Sequence, residues 1–385
     1  MKLQEDTVLT DGKTFFDIVD TNQTITISWE KDIYKDYSEL AESYFLCGYL
    51  IWNSIHEEQW NNFKADTCLF PTIFMFRQSL ELQLKALLSK GKKNAEITAA
   101  FKNVKHDLHG MFDECLKYSG TNYLNEDEIE WLKDFLKSLQ EIDKKSDMFR
   151  FPFYENILEN NMGRLLDTNT VVSALSTAYL MLLKMSDETD EYDSEIKIKD
   201  LKPQLFTYTK SPEGNCYFWQ PEGDKGYMLK KLGYRESIEI LYDDETVDKE
   251  KKMLPILFMF RNEIELCLKQ LLYQCSTCYG LEDSVYQAKK KSHHIKKDLW
   301  ENIGPVLKAQ RFKDSDLDIT KKRIDELSGI DKEGDTFRYP TTYGLEYKLS
   351  NKIVDYEHVG NYLKELADIL FDWSEYIEEE HYMTL

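Results

Sequence analysis

The 385-residue sequence contains few of the residues that interrupt regular structure, with 16 glycines and 8 prolines. Many-stranded β proteins need such residues at their frequent turns. Disordered chains, in contrast, are less apolar than this one, in which 42% of the residues are hydrophobic and 13% are aromatic. We therefore predict an ordered, all-α protein.

The sequence also lacks long apolar runs. No stretch of roughly 18 apolar residues could form a transmembrane helix, and residues 1–6 lack the apolar core of a signal peptide. The seven cysteines are odd in number, and Cys47, Cys115 and Cys267 lie in apolar, helix-like segments, which favours reduced thiols over a disulfide framework. We expect a cytoplasmic protein that does not associate with membranes.

Positive charge is scarce as well, because 49 Lys and Arg residues stand against 70 Asp and Glu residues, for a net charge of −21. Strong nonspecific binding to nucleic acid or to anionic lipid depends on clustered cations, so the composition argues against both, although it allows a local basic pocket. The sequence has no P-loop, no Gly-rich dinucleotide turn, no His-Glu-x-x-His and no Gly-x-Ser-x-Gly. We predict no cofactor.

Two parts of the chain repeat one pattern. Residues 70–88 return as residues 254–272, at an offset of 184. Upstream of these segments, the matching residues are 190 positions apart. Downstream, residues 147–152 (Asp-Met-Phe-Arg-Phe-Pro) return as residues 335–340 (Asp-Thr-Phe-Arg-Tyr-Pro), at an offset of 188. The order of the matches is preserved and the offsets drift by only a few residues, so the pattern indicates duplication of a whole domain. We call residues 1–195 the first half and residues 196–385 the second half, and predict one domain in each.

Each half is predicted to contain a short extended stretch, at 24–29 or 215–219, followed by five helices. The predicted helices lie at 34–59, 70–90, after His106, 126–143 and 168–186, and at 227–242, 254–275, after His294, 315–328 and 356–379. Pro71 and Pro255 are expected in the first turn of the second helix of each half, where a missing N–H costs nothing. The acidic run 186–195 is the predicted linker.

A polar stripe crosses the second helix of each half, which is otherwise apolar nearly all round. Arg77, Glu81 and Lys85 are spaced by four, so they share one helix face. The second half repeats the stripe as Arg261, Glu265 and Lys269. One interpretation is a buried ion-pair network that joins helices; the other is a cleft that binds a phosphate or an RNA backbone. We predict that both Arg–Glu pairs are buried or half-buried.

Two histidines and two arginines recur beside these stripes. His106 matches His294 at an offset of 188, and each is interpreted either as a structural residue or as a catalytic partner of Arg77 or Arg261. Arg150 and Arg338 are expected to contact Glu81 and Glu265 or the carboxyl ends of helices.

A cysteine pair in the second half has side chains of a type that binds zinc. Cys275 and Cys278 are followed by the adjacent residues His293 and His294. The first half has no counterpart of the cysteine pair, so these four residues are weak candidates and we predict no metal site.

Three motifs occur in order: Pro-x-x-Phe-x-x-Arg-x-x-x-Glu-x-x-x-Lys-x-Leu-Leu, His-Asp-Leu and Asp-x-Phe-Arg-aromatic-Pro. This ordered set resembles the bacterial branch of the HEPN superfamily (higher eukaryotes and prokaryotes nucleotide-binding domains). The resemblance covers about residues 34–186 and 227–380, although His-Asp-Leu occurs only in the first half. It implies two tandem up-and-down helical bundles of a kind common in toxin–antitoxin and phage-defence loci. Catalytic members are metal-independent ribonucleases with an Arg-x(4–6)-His motif, and no Arg in this sequence has a His at that distance.

The resemblance therefore implies a binding or regulatory protein of bacterial stress response, toxin–antitoxin function or phage defence. The alternative is a metal-independent HEPN-type ribonuclease in which folding brings a composite Arg–His site together. RNA or a nucleotide is the implied ligand, and a protein from the same operon is the implied partner. The two halves are expected to pack as an intrachain pseudo-dimer, either alone or as a homodimer of such pairs.

Overall fold

The computed structural model describes residues 9–57, 62–118, 124–152, 163–186, 198–212, 215–217 and 223–384. Most of these residues are helical, and the strands form only two small antiparallel sheets, which confirms the expected helical class. Within the described ranges, none of the helices combines the length and the apolar character needed to cross a bilayer. Most of the predicted linker, 187–195, and the end of the predicted extended stretch, 218–219, lie outside the described residues.

The described elements of the first half follow the predicted order, with one additional helix. They are β1 (Thr24–Ile27), α1 (Ile33–Glu57), α2 (Asn62–Ser89), α3 (Asn94–Val104), α4 (Leu108–Tyr118), α5 (Glu126–Ile142), β2 (Leu165–Leu166) and α6 (Thr168–Lys184). The additional helix is α3, which buries Ile97, Phe101 and Val104. These residues have helical spacing, but the segment spans only three turns, so its periodic signal is short.

The described elements of the second half have a similar order. They are β3 (Tyr208–Thr209), β4 (Cys216–Tyr217), α7 (Gly223–Asp243), α8 (Lys249–Cys278), α9 (Asp283–Lys289), a π-helical segment (Ile295–Trp300) that continues as α10 (Glu301–Ala309), α11 (Asp314–Ile330), β5 (Lys352–Asp355) and α12 (Tyr356–Thr384). Helix α9 was not predicted, for the same reason as α3.

The predicted position of the two prolines is wrong, because α2 and α8 begin earlier and contain Pro71 and Pro255 in their interiors. A proline inside a helix cannot donate to the carbonyl four residues before it, which for Pro71 is that of Thr67. Gly233 of α7 packs against this carbonyl, and a Cβ atom at position 233 would lie 2.1 Å from the Thr67 oxygen. Glycine therefore allows α7 of the second half to approach α2 of the first half closely.

The two halves exchange strands. Strand β1 of the first half pairs with β5 of the second half, with Thr24 opposite Asp355. Strand β4 of the second half pairs with β2 of the first half, with Cys216 opposite Leu166. In both cases the strand near the start of one half pairs with the strand that precedes the last helix of the other half, so the two halves are interlocked.

The core is continuous between the halves. Phe74 of α2 and Phe258 of α8 occupy matching positions of the repeated pattern, and their rings stack with centroids 4.7 Å apart. Buried side chains of both halves surround this pair in one hydrophobic cluster. Such a contact between equivalent residues is the arrangement found at the centre of two-fold symmetric interfaces.

Candidate functional site

Glu81 is the centre of a buried ion network on α2. Its carboxylate pairs with Arg77 one turn before it, and its Oε1 atom lies 2.8 Å from Lys85 Nζ one turn after it. His106 Nδ1 lies 2.9 Å from the same oxygen. Arg77 and Glu81 are 0% exposed, as the burial prediction requires. Charges so far from water are tolerated only when they are paired.

Arg77 holds two further segments of the first half in place. Its Nη2 atom donates to the backbone carbonyl of His106 at 3.1 Å, and its Nε atom lies 3.1 Å from Asp143 Oδ2. Asp143, directly after α5, accepts hydrogen bonds from the backbone N–H groups of Asp147 and Met148 through its other oxygen. Arg77 therefore positions both the histidine and the loop that leads to Arg150.

The second half contains an equivalent network on α8. Arg261 and Lys269 lie 2.9 and 2.7 Å from the carboxylate oxygens of Glu265. His293 Nδ1 lies 2.8 Å from Glu265 Oε1, and the His293 carbonyl accepts a hydrogen bond from Arg261 Nη2 at 2.8 Å. Asp331 takes the place of Asp143, with its Oδ2 atom 3.6 Å from Arg261 Nε.

The residue equivalent to His106 is therefore His293, and the expected match with His294 is wrong. The side chain of His294 points elsewhere, with Nδ1 3.3 Å from the carbonyl oxygen of Lys332. The two residues are adjacent in sequence, so residue type alone could not distinguish them, whereas the contact with Glu265 does.

Arg150 and Arg338 each cross into the other half. Arg150 Nε donates to Asn262 Oδ1 on α8 at 2.9 Å, and Arg338 Nη2 donates to Gln78 Oε1 on α2 at 2.9 Å. Gln78 and Asn262 match at an offset of 184, so the exchange is reciprocal. The expected contacts were Arg150 with Glu81 and Arg338 with Glu265, each within one half. Arg150 Nη2 instead lies 3.9 Å from Glu265, so this contact joins the two halves.

Among the described residues, no carboxylate lies within hydrogen-bonding distance of either guanidinium group. The two groups lie beside the stacked pair Phe74 and Phe258, at 5.3 to 5.9 Å from the ring centroids. The carboxylates nearest to Arg150 are beyond hydrogen-bonding distance, at 3.8 and 3.9 Å. Arg338 hydrogen-bonds to the neutral groups of Gln78 and Ser146. Burial, followed by the positive charge of Arg338, lowers the pKa of Arg150. Although burial alone would lower it, Tyr339 and Glu81 raise the pKa of Arg338, so an added anion would stabilise Arg150 more than Arg338.

A cavity of about 320 Å³ lies between the halves at this place. Arg150, Arg338, Lys85 and both histidines contribute to its wall. The side chains of His106 and His293 are 30% and 31% exposed, so both imidazoles are accessible from the cavity while the glutamates behind them are buried. We call this space the inter-half cavity.

The proton positions at His106 follow from its partner. Burial alone would raise the pKa of Glu81. The charges of its neighbours Lys85, His106 and Arg77 instead hold this pKa well below its usual range. The ionised carboxylate can only accept hydrogen bonds, so His106 Nδ1 carries the proton of this contact. His106 Nε2 has no hydrogen-bond partner among the described residues and is available to a ligand.

The charge state of His106 is set by opposing influences. Glu81 favours the protonated imidazole, but burial, Lys85 and Arg338 outweigh it and lower the pKa of His106. The ring is therefore neutral at pH 7, with its Nε2 lone pair available as a proton acceptor.

The two sides of the inter-half cavity differ in the surroundings of their histidines. Tyr339 donates to Glu81 Oε1 at 2.6 Å, whereas the matching residue of the first half is Phe151, whose ring packs against His293. Asp147 Oδ1 lies 3.8 Å from His293 Nε2, whereas the matching Asp335 is paired with Lys348. His293 thus has a carboxylate near each ring nitrogen, and His106 has one near Nδ1 alone.

The structure separates the predicted site residues into two groups. Lys85, His106, Arg150 and Arg338 belong to the cavity wall, together with His293. Five predicted residues belong to the buried networks behind the wall: Arg77, Glu81, Arg261, Glu265 and Lys269. Tyr339 was not predicted as a site residue, although its place in the repeated Arg-aromatic-Pro segment was a usable signal. Tyr37, Tyr343 and Asp147 also line the cavity and had no comparable signal.

The weak zinc candidates are dispersed. Cys275 is buried and Cys278 half-buried at the end of α8, while His293 is bound to Glu265. Across the described ranges, no group of three or more His, Cys, Asp or Glu side chains is arranged to hold a metal ion.

Comparison of the chain with protein families, with curated proteins and with solved structures gives no match. The geometry of the inter-half cavity is therefore the basis on which we infer a function.

Proposed function

We propose that the inter-half cavity binds a phosphate-bearing ligand, either a nucleotide or the backbone of an RNA. The observation that supports this most directly is the pair Arg150 and Arg338, two buried guanidinium groups beside one cavity. Their hydrogen bonds go to the neutral side chains of the other half, and the carboxylates nearest to Arg150 lie at 3.8 and 3.9 Å. Lys85 and two histidines add donors around the same space. Phosphate oxygens accept hydrogen bonds from such groups, and the bonds are strong in a partly desolvated site.

This site is consistent with the HEPN resemblance. In that proposal, residues 1–195 and 196–385 are diverged copies of one helical bundle that form an intrachain pseudo-dimer, with the ligand at their interface. The protein then acts as a binding or regulatory component of bacterial stress response, toxin–antitoxin function or phage defence, with a partner from the same operon. The crossing contacts of Arg150 and Arg338 support this proposal, because they make the cavity depend on both halves.

Titration calorimetry with 5′-AMP and with inorganic phosphate tests the binding. We expect one saturable site per chain, weakened at least about tenfold by Arg338→Gln, since a hydrogen bond to a charged group contributes roughly 1.5–3 kcal/mol. Lys308→Gln removes one positive charge from an exposed side chain and should leave the affinity unchanged. Absence of saturable binding, or equal losses in both variants, would refute the proposal.

Metal-independent cleavage of RNA is the second candidate, favoured by the two Glu–His pairs on one cavity. His106 Nε2 would accept the proton of a ribose 2′-hydroxyl, whose oxygen attacks the adjacent phosphorus. Protonated His293 would give its proton to the departing 5′-oxygen, leaving a 2′,3′-cyclic phosphate and a 5′-hydroxyl. Arg150 and Arg338 would stabilise the charge that develops on the phosphoryl oxygens.

The adjacent histidines provide a matched set of variants for this candidate. Under the binding proposal, wild-type protein in EDTA leaves tRNA and mRNA intact. Under the second candidate, wild type cleaves them, His106→Ala and His293→Ala abolish cleavage, and His294→Ala retains it. Circular dichroism of all four proteins shows whether a loss comes from unfolding.

A further inference from the structure

A second cavity, of about 300 Å³, lies in the second half between α7, α8 and α12, and no residue of its wall belongs to the inter-half cavity. Six charged residues contribute to its wall: Arg235, Glu239, Asp243, Glu263, Glu357 and Lys364. At the same offsets, the first half has the uncharged residues Phe45, Tyr49, Asn53, Ser79, Asn169 and Ser176. A requirement of the fold would act on both halves, so the charges at these six positions are specific to the second half.

The space itself has an identifiable origin. In the first half, two aromatic side chains occupy the matching positions, and the ring of Phe45 stacks on Tyr179 with centroids 4.3 Å apart. The second half has Arg235 and Ala367 at the matching positions. Arg235 turns towards Glu263 and Asp368, at 2.8 and 2.9 Å, and the small side chain of Ala367 leaves the volume open.

Glu263 lies at the inner end of this cavity and is 1% exposed. Its Oε1 atom accepts the hydrogen bond of Arg235, and its Oε2 atom has no hydrogen-bond partner among the described residues. Burial raises the pKa of Glu263, the negative charge of Asp368 adds to this, and Arg235 offsets it only in part. A buried carboxylate oxygen without a donor is costly, and it faces a cavity that could admit one.

We propose that this cavity binds a small aliphatic diamine or polyamine. One ammonium group donates to Glu263, and the methylene chain packs against Ile238 and Phe260 of the wall. The second ammonium group lies near the exposed carboxylates Glu239 and Asp243 at the rim. The wall carries four carboxylates against two cations, Arg235 and Lys364, so it favours a ligand with more than one positive charge.

Calorimetric titration of the full chain with putrescine and with spermidine at physiological salt tests this site. We expect one site per chain, weakened about tenfold or more by Glu263→Gln and abolished by Ala367→Tyr, which introduces the residue found in the first half. Glu239→Gln changes an exposed side chain that lies 3.9 Å from Lys364, so we expect it to leave the fold intact and to weaken spermidine binding several-fold. Asp134→Asn removes one exposed negative charge in the first half and should have no effect.

Two outcomes would overturn the proposal: no saturable binding to wild type, or many weak sites that are equal in wild type, Glu239→Gln and Asp134→Asn. The second outcome would identify the binding as nonspecific attraction to a chain with a net charge of −21. Phosphate binding at the inter-half cavity depends on other residues, so its failure leaves this test unaffected.

Discussion

Replacing Glu81 by alanine would test whether the buried network stabilises the fold. The change leaves Arg77 with Asp143 as its remaining ion-pair partner, and leaves Lys85 with aromatic contacts such as the Tyr339 ring at 4.1 Å. Removing one partner of a buried charge pair typically costs about 3–5 kcal/mol, because the other charge stays desolvated. At about 2.1 cal/mol/K per residue, unfolding the 385-residue chain as one unit has an entropy of roughly 0.8 kcal/mol/K. We therefore expect Tm to fall by roughly 4–6 °C.

Differential scanning calorimetry measures this shift, and Glu30→Ala is the matched control. Glu30 pairs with Lys35 on the surface, where the side chains are 54% and 53% exposed, and such solvent-screened pairs contribute little to stability. The expected decrease in Tm for the control is about 1 °C. A Glu81→Ala protein as stable as Glu30→Ala would refute the conclusion that the network contributes to stability.

The same network predicts a dependence on pH. The pKa of Glu81 lies well below its usual value in the folded protein, so the ionised group stabilises the fold above its unfolded pKa of about 4.3. This contribution is lost as the pH falls through the folded pKa. Stability measured below pH 4 should therefore decrease less steeply in Glu81→Ala than in wild type, and parallel curves would contradict this.

Three further predictions concern the interface, His106 and the surface. In urea unfolding, Gly233→Ala should destabilise the protein by about 1–3 kcal/mol, because its Cβ would lie 2.1 Å from the Thr67 oxygen. The control Gly329→Ala in α11 meets nothing within 4 Å and should be neutral or stabilising by up to about 1 kcal/mol. Equal effects of the two substitutions would contradict the close approach of α7 to α2. Because the folded pKa of His106 is lowered, the neutral ring stabilises the fold above its unfolded pKa of about 6.5, and this contribution disappears as the pH falls through the folded value. His106→Gln should therefore have a Tm that changes less than that of wild type between about pH 6.5 and 5, and an unchanged profile would refute this assignment. Filter binding with arbitrary RNA at physiological salt should give no strong retention, because the net charge of −21 repels the backbone; tight and steeply salt-dependent binding would reveal a basic surface that the composition does not indicate.

Periodicity was sufficient to predict the long helices and the burial of the stripe. Arg77 and Glu81 repeat at helical spacing within an apolar helix, and a charge in such surroundings must be paired whatever the rest of the fold is. The prolines show the limit of local rules, since Pro71 lies inside α2. The carbonyl that this proline leaves without its helical donor faces Gly233 of another helix, a contact that local sequence rules do not include.

The candidate site was decided by tertiary structure. Sequence pattern identified Arg150, Arg338 and a histidine in each half, but it could not show that each arginine crosses to the other half or that His293 is the histidine that contacts Glu265. Helix periodicity arises from contacts three or four residues apart and is therefore visible in a sequence. The hydrogen bond from Tyr339 to Glu81 joins residues 258 positions apart, and only the packing of the two halves determines which side chains meet over such a separation.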